Sequence, residues 1–314
     1  MKTTLHTIFL ISVLCFTSFR ANGLEFSLIT DFGIQSAYVQ EMVYEGEKKI
    51  SMLDWDDRII PTFSITGKLE LSDAFLKLGM KFAIPVLSGT MEDYDYLLSD
   101  SPNPSNYSFH DAYLDKDFTV AIEGGYEFNI SDWYITPSIG FQYGNRKWTA
   151  ADGYLQYPLA GNWTGNETKT IINGPVIGYE QAVWFPFAAL EIGYIYTLGN
   201  YGKYRYSIQG SVHPFLRAET NYTQYLRNMH FYDTFNNGIG WKIVFSFEFK
   251  PTDPKGVGLI LRTANERIHE LTGDTASNGT GVSSGSLIID NGYTAKMESN
   301  LWNYTVAITI PVVY

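Results

Sequence analysis

Two aspartates, Asp93 and Asp95, lie one residue apart in the run Met91-Glu-Asp-Tyr-Asp-Tyr96 and have the type and spacing for chemistry. In an extended strand, residues two apart point to the same face, so the two carboxylates would lie side by side. Carboxylates that close cannot both ionise freely, so one is expected to keep a proton near neutral pH. Such a pair could orient a water molecule or act as a general acid or base. The alternative is a solvated acidic rim, which the spacing alone favours.

The elements that must position these aspartates are predicted to be β-strands, because apolar and polar residues alternate strictly along the chain. Residues 117–128, 239–250 and 302–314 each show an apolar face opposite a polar face. The polar faces mix charges with small residues, as the lumen of a barrel does, and aromatic residues near the ends of the apolar faces match interfacial girdles. The pattern therefore predicts a transmembrane β-barrel, with a secreted β-sandwich as the alternative.

The number of alternating segments predicts an all-β fold, a ten-stranded antiparallel transmembrane β-barrel. The segments lie near residues 25–44, 47–70, 74–96, 109–128, 133–154, 173–197, 203–225, 237–250, 257–271 and 293–314. Short connections alternate with long ones, and long loops belong to the outer side of such a barrel. The predicted long loops lie near residues 97–108, 155–172, 226–236 and 272–292. Many segments exceed the roughly 9–11 residues that cross a bilayer, so the barrel should project beyond the outer membrane.

The same alternation predicts the face on which the two aspartates lie. In the preceding strand the apolar positions are even-numbered, so odd positions face the lumen; the apolar set is Leu76, Leu78, Met80, Phe82, Ile84 and Val86. Extending this parity places Asp93 and Asp95 on the inner face, at the outer end of their strand.

The first 23 residues match a secretory signal peptide. Lys2 supplies the positive charge, residues 8–16 the apolar segment, and Ala21-Asn22-Gly23 the small-residue cleavage site. We expect residues 24–314 to form a single barrel domain in the bacterial outer membrane, with loops exposed at the cell surface.

Composition argues against several classes of function. The only cysteine, Cys15, falls in the predicted signal peptide, so we expect no disulfide and no cysteine-based metal site. No zinc motif or phosphate-binding loop is evident, and we expect neither a metal nor a cofactor. The formal charge of -11 becomes -13 once Lys2 and Arg20 are removed, which argues against nucleic-acid binding. Apolar runs beyond the N-terminus are too short for a helical membrane protein.

Several short runs resemble the omptin family of outer-membrane proteases, in the same order and at the same spacing. They are Glu41-Met-Val-Tyr44, Gly46-Glu-Lys-Lys-Ile-Ser-Met-Leu-Asp-Trp55, Met91-Glu-Asp-Tyr-Asp-Tyr96, His110-Asp111, Trp148-Thr-Ala150 and Ile177-Gly-Tyr-Glu-Gln181. The resemblance extends from about residue 24 to the C-terminus and implies a ten-stranded barrel that cleaves peptides and surface proteins between basic residues. It also implies an aspartic-type site in which two Asp face an Asp and a His around an attacking water.

The resemblance carries the first catalytic pair to Asp93 and Asp95. The second pair belongs after an Arg-Ala dipeptide, here Arg217-Ala218, and a gapless alignment places its Asp on Tyr222 and its His on Gln224. Tyr is too weak an acid to orient an imidazole, and Gln cannot take a proton. The resemblance therefore implies that half of the catalytic machinery is missing.

Two histidines are candidates to replace the missing one. His230 is a possible substitute if the loop is shifted, with Asn228 in place of the missing Asp. His110 matches another histidine of the family groove, and we expect it to be a groove or rim residue rather than a base. Strict alternation along residues 204–218 would turn Tyr222 and Gln224 outward, so a bulge or a strand end must intervene.

Ligand contacts of the family are also altered. The family pocket for a basic side chain uses a Glu and an Asp; Glu41 matches the first, and Thr220 stands in place of the second. One carboxylate still attracts Arg or Lys, but more weakly. Positions that contact lipopolysaccharide in the family are here Phe141, Tyr143, Asn145 and Ala182, so we expect the lipopolysaccharide requirement to be lost.

Three functions are consistent with these residues. The first is a catalytically degenerate protease that acts as a surface binding or adhesion protein for basic peptides or for host or surface proteins. The second is an active endopeptidase that uses Asp93 and Asp95 with His230 or His110. The third, a narrow porin, is least favoured because the lumen of a ten-stranded barrel is filled by side chains. We expect a monomer in contact with outer-membrane lipid.

Overall fold

The computed structural model describes residues 24–98, 101–253, 256–278 and 288–312, and their regular structure is β-strand. The strands are β1 (Leu24–Glu45), β2 (Lys48–Leu71), β3 (Ala74–Ala83), β4 (Val86–Asp95), β5 (Asn106–Tyr126), β6 (Phe128–Ile130), β7 (Trp133–Gln156), β8 (Thr170–Ile171), β9 (Pro175–Leu198), β10 (Gly202–Gln224), β11 (Met229–Pro251), β12 (Gly258–Asn278) and β13 (Ile288–Val312). No helix in these ranges is long and apolar enough to cross a membrane. The predicted signal peptide, residues 1–23, lies outside them.

The strands close into a ring of ten antiparallel segments. One segment contains β3 and β4, which are separated at Ile84-Pro85; β6 continues β5, and β8 is a short strand beside β7. The ring closes because β1 pairs with β2 on one side and with β13 on the other. The predicted ten-stranded antiparallel barrel is confirmed, and the sandwich alternative does not fit a closed ring.

The half of the barrel next to the turns at residues 72–73, 131–132 and 199–201 has an apolar outer face and a polar lumen. On β3, Leu78 and Ile84, which faces outward just beyond it, are 54% and 56% exposed, whereas inward-facing Lys77 forms a salt bridge of 3.2 Å with Glu123. The lumen of this half encloses a cavity of about 1710 Å³. An apolar exterior around a polar interior is what lipid requires of a barrel, so this half contains the membrane-spanning segments.

A belt of bulges separates this half from the outer half of the barrel. The register shifts after Leu114 on β5 and between His213 and Leu216 on β10, and each shift exchanges the faces on which odd and even residues lie. Beyond the belt, the chain lies outside the membrane-spanning segments. We call these portions the outer segments: residues 37–45, 48–57, 89–95, 106–114, 145–156, 175–183, 216–224, 229–235, 271–278 and 288–299.

An apolar plug fills the lumen at the base of the outer half. The rings of Trp55, Trp148 and Tyr179 are fully buried and pack on one another, with centroids 5.7–5.8 Å apart. Trp148 Nε1 donates to Asp57 Oδ2 at 2.9 Å, which satisfies the indole nitrogen. Tyr222 packs against the same cluster. The plug therefore gives the groove above it an apolar floor.

The predicted long loop at residues 226–236 is wrong. A turn at residues 225–228 joins β10 directly to β11, which begins at Met229. Asn228 adopts the positive φ of 50° in this turn, a conformation that Asn tolerates better than most residues. Asn237, with φ of 60°, lies where the alternation of β11 changes phase, so the period seen after residue 239 does not continue backwards. The next strand also reaches further than predicted, because β12 ends at Asn278 and not near residue 271.

Candidate functional site

Asp93 and Asp95 lie on the inner face of β4, at its outer end. Sequence parity predicts this face, but only because two irregularities cancel. The strand is interrupted at Ile84-Pro85 and then bulges at Gly89. Glycine is needed there, since an added Cβ would lie 1.8 Å from the backbone oxygen of Asp56.

The environment of the two carboxylates favours a shared proton. In the ladder with β5, Asp93 is opposite Ser108 and Asp95 is opposite Asn106, whose Nδ2 donates to Asp95 Oδ2 at 3.3 Å. Burial raises the pKa of Asp93, and the charge of Asp95 raises it further. Burial also raises the pKa of Asp95, while the charge of Arg227 opposes both shifts. The pair is therefore expected to hold one proton near neutral pH.

Tyr222 and Gln224 face this pair from β10, on the opposite wall. The bulge between His213 and Leu216 supplies the change of parity that turns them inward. Gln224 Nε2 donates to the Tyr222 hydroxyl at 2.6 Å. Burial and then the charge of Asp93 raise the pKa of Tyr222, so the phenol stays protonated and neutral.

The two candidate histidines each make side-chain contacts within the wall of the barrel. His230 is opposite Thr223 on the outer face of the barrel, where Nδ1 lies 3.0 Å from Thr223 Oγ1. The tight turn at residues 225–228 keeps it there. His110 is fully buried; its Nδ1 lies 2.5 Å from the carbonyl oxygen of Asp152 and its Nε2 lies 2.9 Å from Ser108 Oγ. Burial lowers the pKa of His110, so its neutral ring is committed to these two contacts.

A second pair of acids, Glu41 on β1 and Asp233 on β11, lies buried in the same outer half. Their side chains are 2% and 1% exposed. Thr220 is directly opposite Asp233 in the β10–β11 ladder, and its Oγ1 donates to Asp233 Oδ2 at 2.9 Å. Burial raises the pKa of Asp233 to about 6, and burial together with the charge of Asp233 raises the pKa of Glu41. The structure thus brings Glu41 and Thr220 together with a carboxylate that sequence reasoning missed.

Asp233 and Arg227 are the two site residues that sequence reasoning missed. Both fall within residues 226–236, which were predicted to form a loop. The sequence pattern that could have identified Asp233 is its spacing of two residues from Phe231 and from Phe235. In the structure Asp233 and Phe235 are both buried on the same face of β11. Arg227 lies in the turn after β10, where its charge acts on both aspartates of β4 and its side chain hydrogen-bonds to Tyr157.

This arrangement is chemically suited to hold a cation, and Asp93 and Asp95 supply its acid–base chemistry. Two acid pairs line the groove, and the side chains facing Asp93 and Asp95 from β10 are a neutral phenol and a neutral amide. Across the described ranges, no group of three or more His, Cys, Asp or Glu side chains is placed to hold a metal ion.

Comparison with known proteins agrees with this geometry. The Omptin family model matches residues 23–310. The plasminogen activator of Yersinia pestis is 27% identical over 218 residues, which cover 66% of this chain and 65% of that protein, slightly less than two thirds of its length. The outer membrane protease OmpP of Escherichia coli (strain K12) is 26% identical over 251 residues, which cover 74% of this chain and 76% of OmpP.

The crystal structure of the outer membrane protease OmpT from Escherichia coli has the same fold. It matches with a TM-score of 0.79 at 16% identity, over 94% of this chain and 99% of OmpT. Because the family model covers most of the chain, the chain belongs to the omptin family and is an outer-membrane β-barrel with loops exposed at the cell surface.

Proposed function

We propose that this barrel is a catalytically degenerate omptin that binds basic peptides or proteins at the cell surface without cleaving them. The observation that carries the proposal is the hydrogen bond between Gln224 and Tyr222 on the wall opposite Asp93 and Asp95. Hydrolysis by an attacking water needs a group that takes the proton of that water. The side chains that occupy this wall are a neutral amide and a neutral phenol.

The absence of a base on this wall is expected to lower the rate of hydrolysis strongly. A positioned general acid or base typically contributes about 10²–10⁴-fold to a rate. An ordinary phenol has a pKa of about 10, and the pKa of Tyr222 is higher still, so its hydroxyl is always occupied by a proton. Asp93 and Asp95 can polarise a water molecule, but they lack a partner to accept the proton across the groove.

The acidic character of the groove supports a basic ligand. Asp93, Asp95, Glu41 and Asp233 all belong to the outer half of the lumen, and the whole chain carries a formal charge of -11. Clefts lined by one sign of charge attract ligands of the opposite sign and raise their association rate. OmpP and OmpT are named as outer membrane proteases, and a protease must accept a polypeptide. Membership of the same family therefore supports a polypeptide as the ligand of this groove.

We include independence from lipopolysaccharide in the proposal. On the outer face, Tyr143 packs against Trp184 with ring centroids 5.3 Å apart, and Asn145 is opposite Ala182. Nearby, Lys116 is already paired with Glu180 at 2.8 Å. The charge of Lys116 is directed to Glu180 and not to a lipid phosphate, which supports a ligand site that works without that lipid.

The two rival functions have weaker support. An active endopeptidase would use the intact Asp93–Asp95 pair, but His230 lies on the outer face and His110 is sealed in the wall. A narrow porin would need an open lumen, whereas the apolar plug of Trp55, Trp148 and Tyr179 fills it.

The proposal can be tested with the barrel refolded in detergent and fluorogenic peptides that contain paired basic residues. We expect the peptides to bind, as measured by fluorescence anisotropy, and to be cleaved no faster than by Asp93→Asn. The same peptides with glutamine at both basic positions control for nonspecific binding. Cleavage that Asp93→Asn abolishes would overturn the proposal, and so would a failure of the basic peptides to bind.

A further inference from the structure

Four large apolar side chains are exposed where the groove opens, beside the two aspartates of β4. Leu97 follows the end of β4, Tyr157 and Leu159 follow the end of β7, and Leu226 lies in the turn after β10. Leu97, Tyr157 and Leu226 are 58%, 42% and 57% exposed, and Leu159 is fully exposed. We call these four side chains the apolar rim. Single exposed apolar side chains are common, whereas a group of them beside a groove indicates a surface for a partner.

Contacts between the connections bring the members of the apolar rim to the same acids. Arg227 donates a side-chain hydrogen bond to the Tyr157 hydroxyl, and Leu226 directly precedes Arg227. The charges of both β4 aspartates act on Tyr157, and Leu97 lies two residues beyond the second of these aspartates. Apolar side chains from three separate connections therefore surround one acidic pair.

The connection between β7 and β8 is fixed against the wall of the barrel. The ring of Trp163 stacks on that of Tyr107 with centroids 4.3 Å apart, and the Trp163 backbone amide donates to the Pro104 carbonyl oxygen at 2.9 Å. Gln156, which is 3% exposed, accepts from Trp163 Nε1 at 3.3 Å and donates from Nε2 to the carbonyl oxygen of Glu167 at 2.8 Å. These contacts hold the connection in place, so its apolar side chains are presented to water in a defined position.

Lipid of the outer membrane does not cover the apolar rim. The outer segment of β10, residues 216–224, puts roughly 30 Å of strand between the belt of bulges and the rim, at about 3.3 Å per residue. A strand tilt of about 45° reduces this height to roughly 20 Å, which still leaves the rim in water. A partner that covers apolar surface in water gains the hydrophobic effect.

We infer that the apolar rim binds bulky apolar side chains that flank the basic residues of the polypeptide ligand. This inference rests on the proposed function and adds a second requirement to the ligand class. The acids of the groove attract the basic residues between its walls by charge complementarity. Neighbouring residues of an extended ligand, spaced about 3.3 Å apart, then lie within reach of the rim. A basic ligand with small polar neighbours gains the electrostatic attraction alone.

Two peptides that differ beside an Arg–Arg pair test this requirement, one with Leu on both sides of the pair and one with Ser. Fluorescence anisotropy with the refolded wild-type barrel should show the Leu-flanked peptide binding at least about fivefold more tightly, because part of each Leu side chain leaves water. In the double variant Leu97→Ser, Leu226→Ser this preference should fall below about twofold, since the apolar partners are removed. The Ser-flanked peptide should bind the variant and the wild type equally.

Two controls accompany the double variant. Leu97→Met combined with Leu226→Met keeps apolar side chains at the rim and should retain the preference for the Leu-flanked peptide. Tyr201→Ser removes an apolar side chain that is 78% exposed in the turn before β10, at the opposite end of the barrel, and should also retain it. Circular dichroism in detergent checks that each variant is folded.

The outcomes distinguish this inference from the proposed function. Wild-type protein that binds the two basic peptides equally well would overturn the inference and leave the proposed function standing, whereas binding of neither peptide would overturn both. A preference that persists in Leu97→Ser, Leu226→Ser, or an equal loss of affinity for both peptides, would also overturn the inference. A wild-type dimer in detergent that this double variant converts to a monomer would assign the rim to a second copy of the chain instead.

Discussion

Gln224 donates a hydrogen bond of 2.6 Å to the hydroxyl of Tyr222, and the two side chains together face Asp93 and Asp95. The hydrogen bond uses one donor of Gln224, while its Oε1 makes no hydrogen bond within the described residues. An amide oxygen can accept a hydrogen bond from water, but it cannot remove a proton at neutral pH. The wall formed by Tyr222 and Gln224 can therefore bind water but supplies no base to activate it.

Restoring the two missing groups should create activity. We expect the double variant Tyr222→Asp, Gln224→His to cleave peptides at paired basic residues at least about tenfold faster than the wild type, because a positioned base typically contributes more than that. Some stability will be lost, since the Tyr222 ring packs on Phe231 at 5.2 Å. Adding Asp93→Asn should remove the new activity. A folded double variant that binds the peptide and still fails to cleave it would contradict this interpretation of the wall.

Binding of basic peptides should strengthen as pH rises through about 6. The pKa of Asp233 is raised to about 6 by burial, so Asp233 gains its charge in this window. The Lys and Arg side chains of the peptide stay charged throughout. We expect about a tenfold gain in affinity between about pH 5 and pH 7, measured by anisotropy. Asp233→Asn should reduce this pH dependence. If affinity changed equally with pH in the wild type and the variant, Asp233 would not be the group responsible.

The stability of the unliganded barrel should change with pH in the opposite sense. An acid whose folded pKa is raised binds its proton more tightly in the folded state, so this contribution is present at low pH and is lost as pH rises through the folded value. For Asp233 that value is about 6. We expect urea unfolding in detergent to show lower stability at pH 7 than at pH 5 for the wild type and a smaller change for Asp233→Asn. If the wild-type barrel gained stability from pH 5 to pH 7 relative to the variant, the raised pKa of Asp233 would be contradicted.

Removing Arg227 should tighten the binding of basic peptides. Its positive charge acts on Asp93 and Asp95, and its side chain hydrogen-bonds to Tyr157 across the rim, so it competes with a cationic ligand. We expect Arg227→Ala to raise affinity by about 0.5–1 kcal/mol, the range for an exposed charge interaction, in calorimetric titrations. Arg217→Ala, which removes an exposed Arg paired with Glu219 on the outer face, should have no effect. Weaker binding by Arg227→Ala would show that Arg227 supports the ligand instead.

The apolar plug should be sensitive to the loss of a single hydrogen bond. Trp148→Phe keeps an aromatic ring against Trp55 but leaves Asp57 Oδ2 without its donor at 2.9 Å. An unsatisfied buried acceptor costs about 1–3 kcal/mol, so the free energy of unfolding should fall by that amount in urea titrations. Trp302→Phe on the lipid-facing surface is the control, with a change below about 0.5 kcal/mol. Equal effects of the two substitutions would argue against the plug as the stabilising element.

The closed barrel could be predicted from sequence because its longest strands keep a strict period of two. Residues 302–314 and 239–250 show that period without interruption, and the short turns between strands mark the hairpins. The outer half was less predictable, because the bulges on β10 and β11 exchange inward and outward positions. Tyr222 and Gln224 face the groove because a bulge on β10 reverses the alternation before them. The resemblance to the family implied such a bulge, but the alternation alone did not show it.

Asp233 shows most clearly why the outer half could not be predicted from the sequence. Its neighbours alternate in the opposite phase to the rest of β11, because Asn237 changes the phase between the two halves. A single period fitted to the whole strand therefore fails at residues 229–236, and the segment resembles a loop. The position of Asp233 opposite Thr220 is thus known only once the ladder between β10 and β11 fixes which residues are paired.

The most direct test of the absence of catalysis compares wild type with Asp93→Asn over long incubations at high protein concentration. A peptide with an Arg–Arg pair is added to each refolded barrel, and cleavage products are quantified by mass spectrometry. We expect equal, background-level product from the two proteins, while the wild type still binds the peptide. Product that forms more than about tenfold faster with wild type than with Asp93→Asn would correspond to more than about 1.4 kcal/mol of transition-state stabilisation by Asp93, and would show that the barrel is a protease.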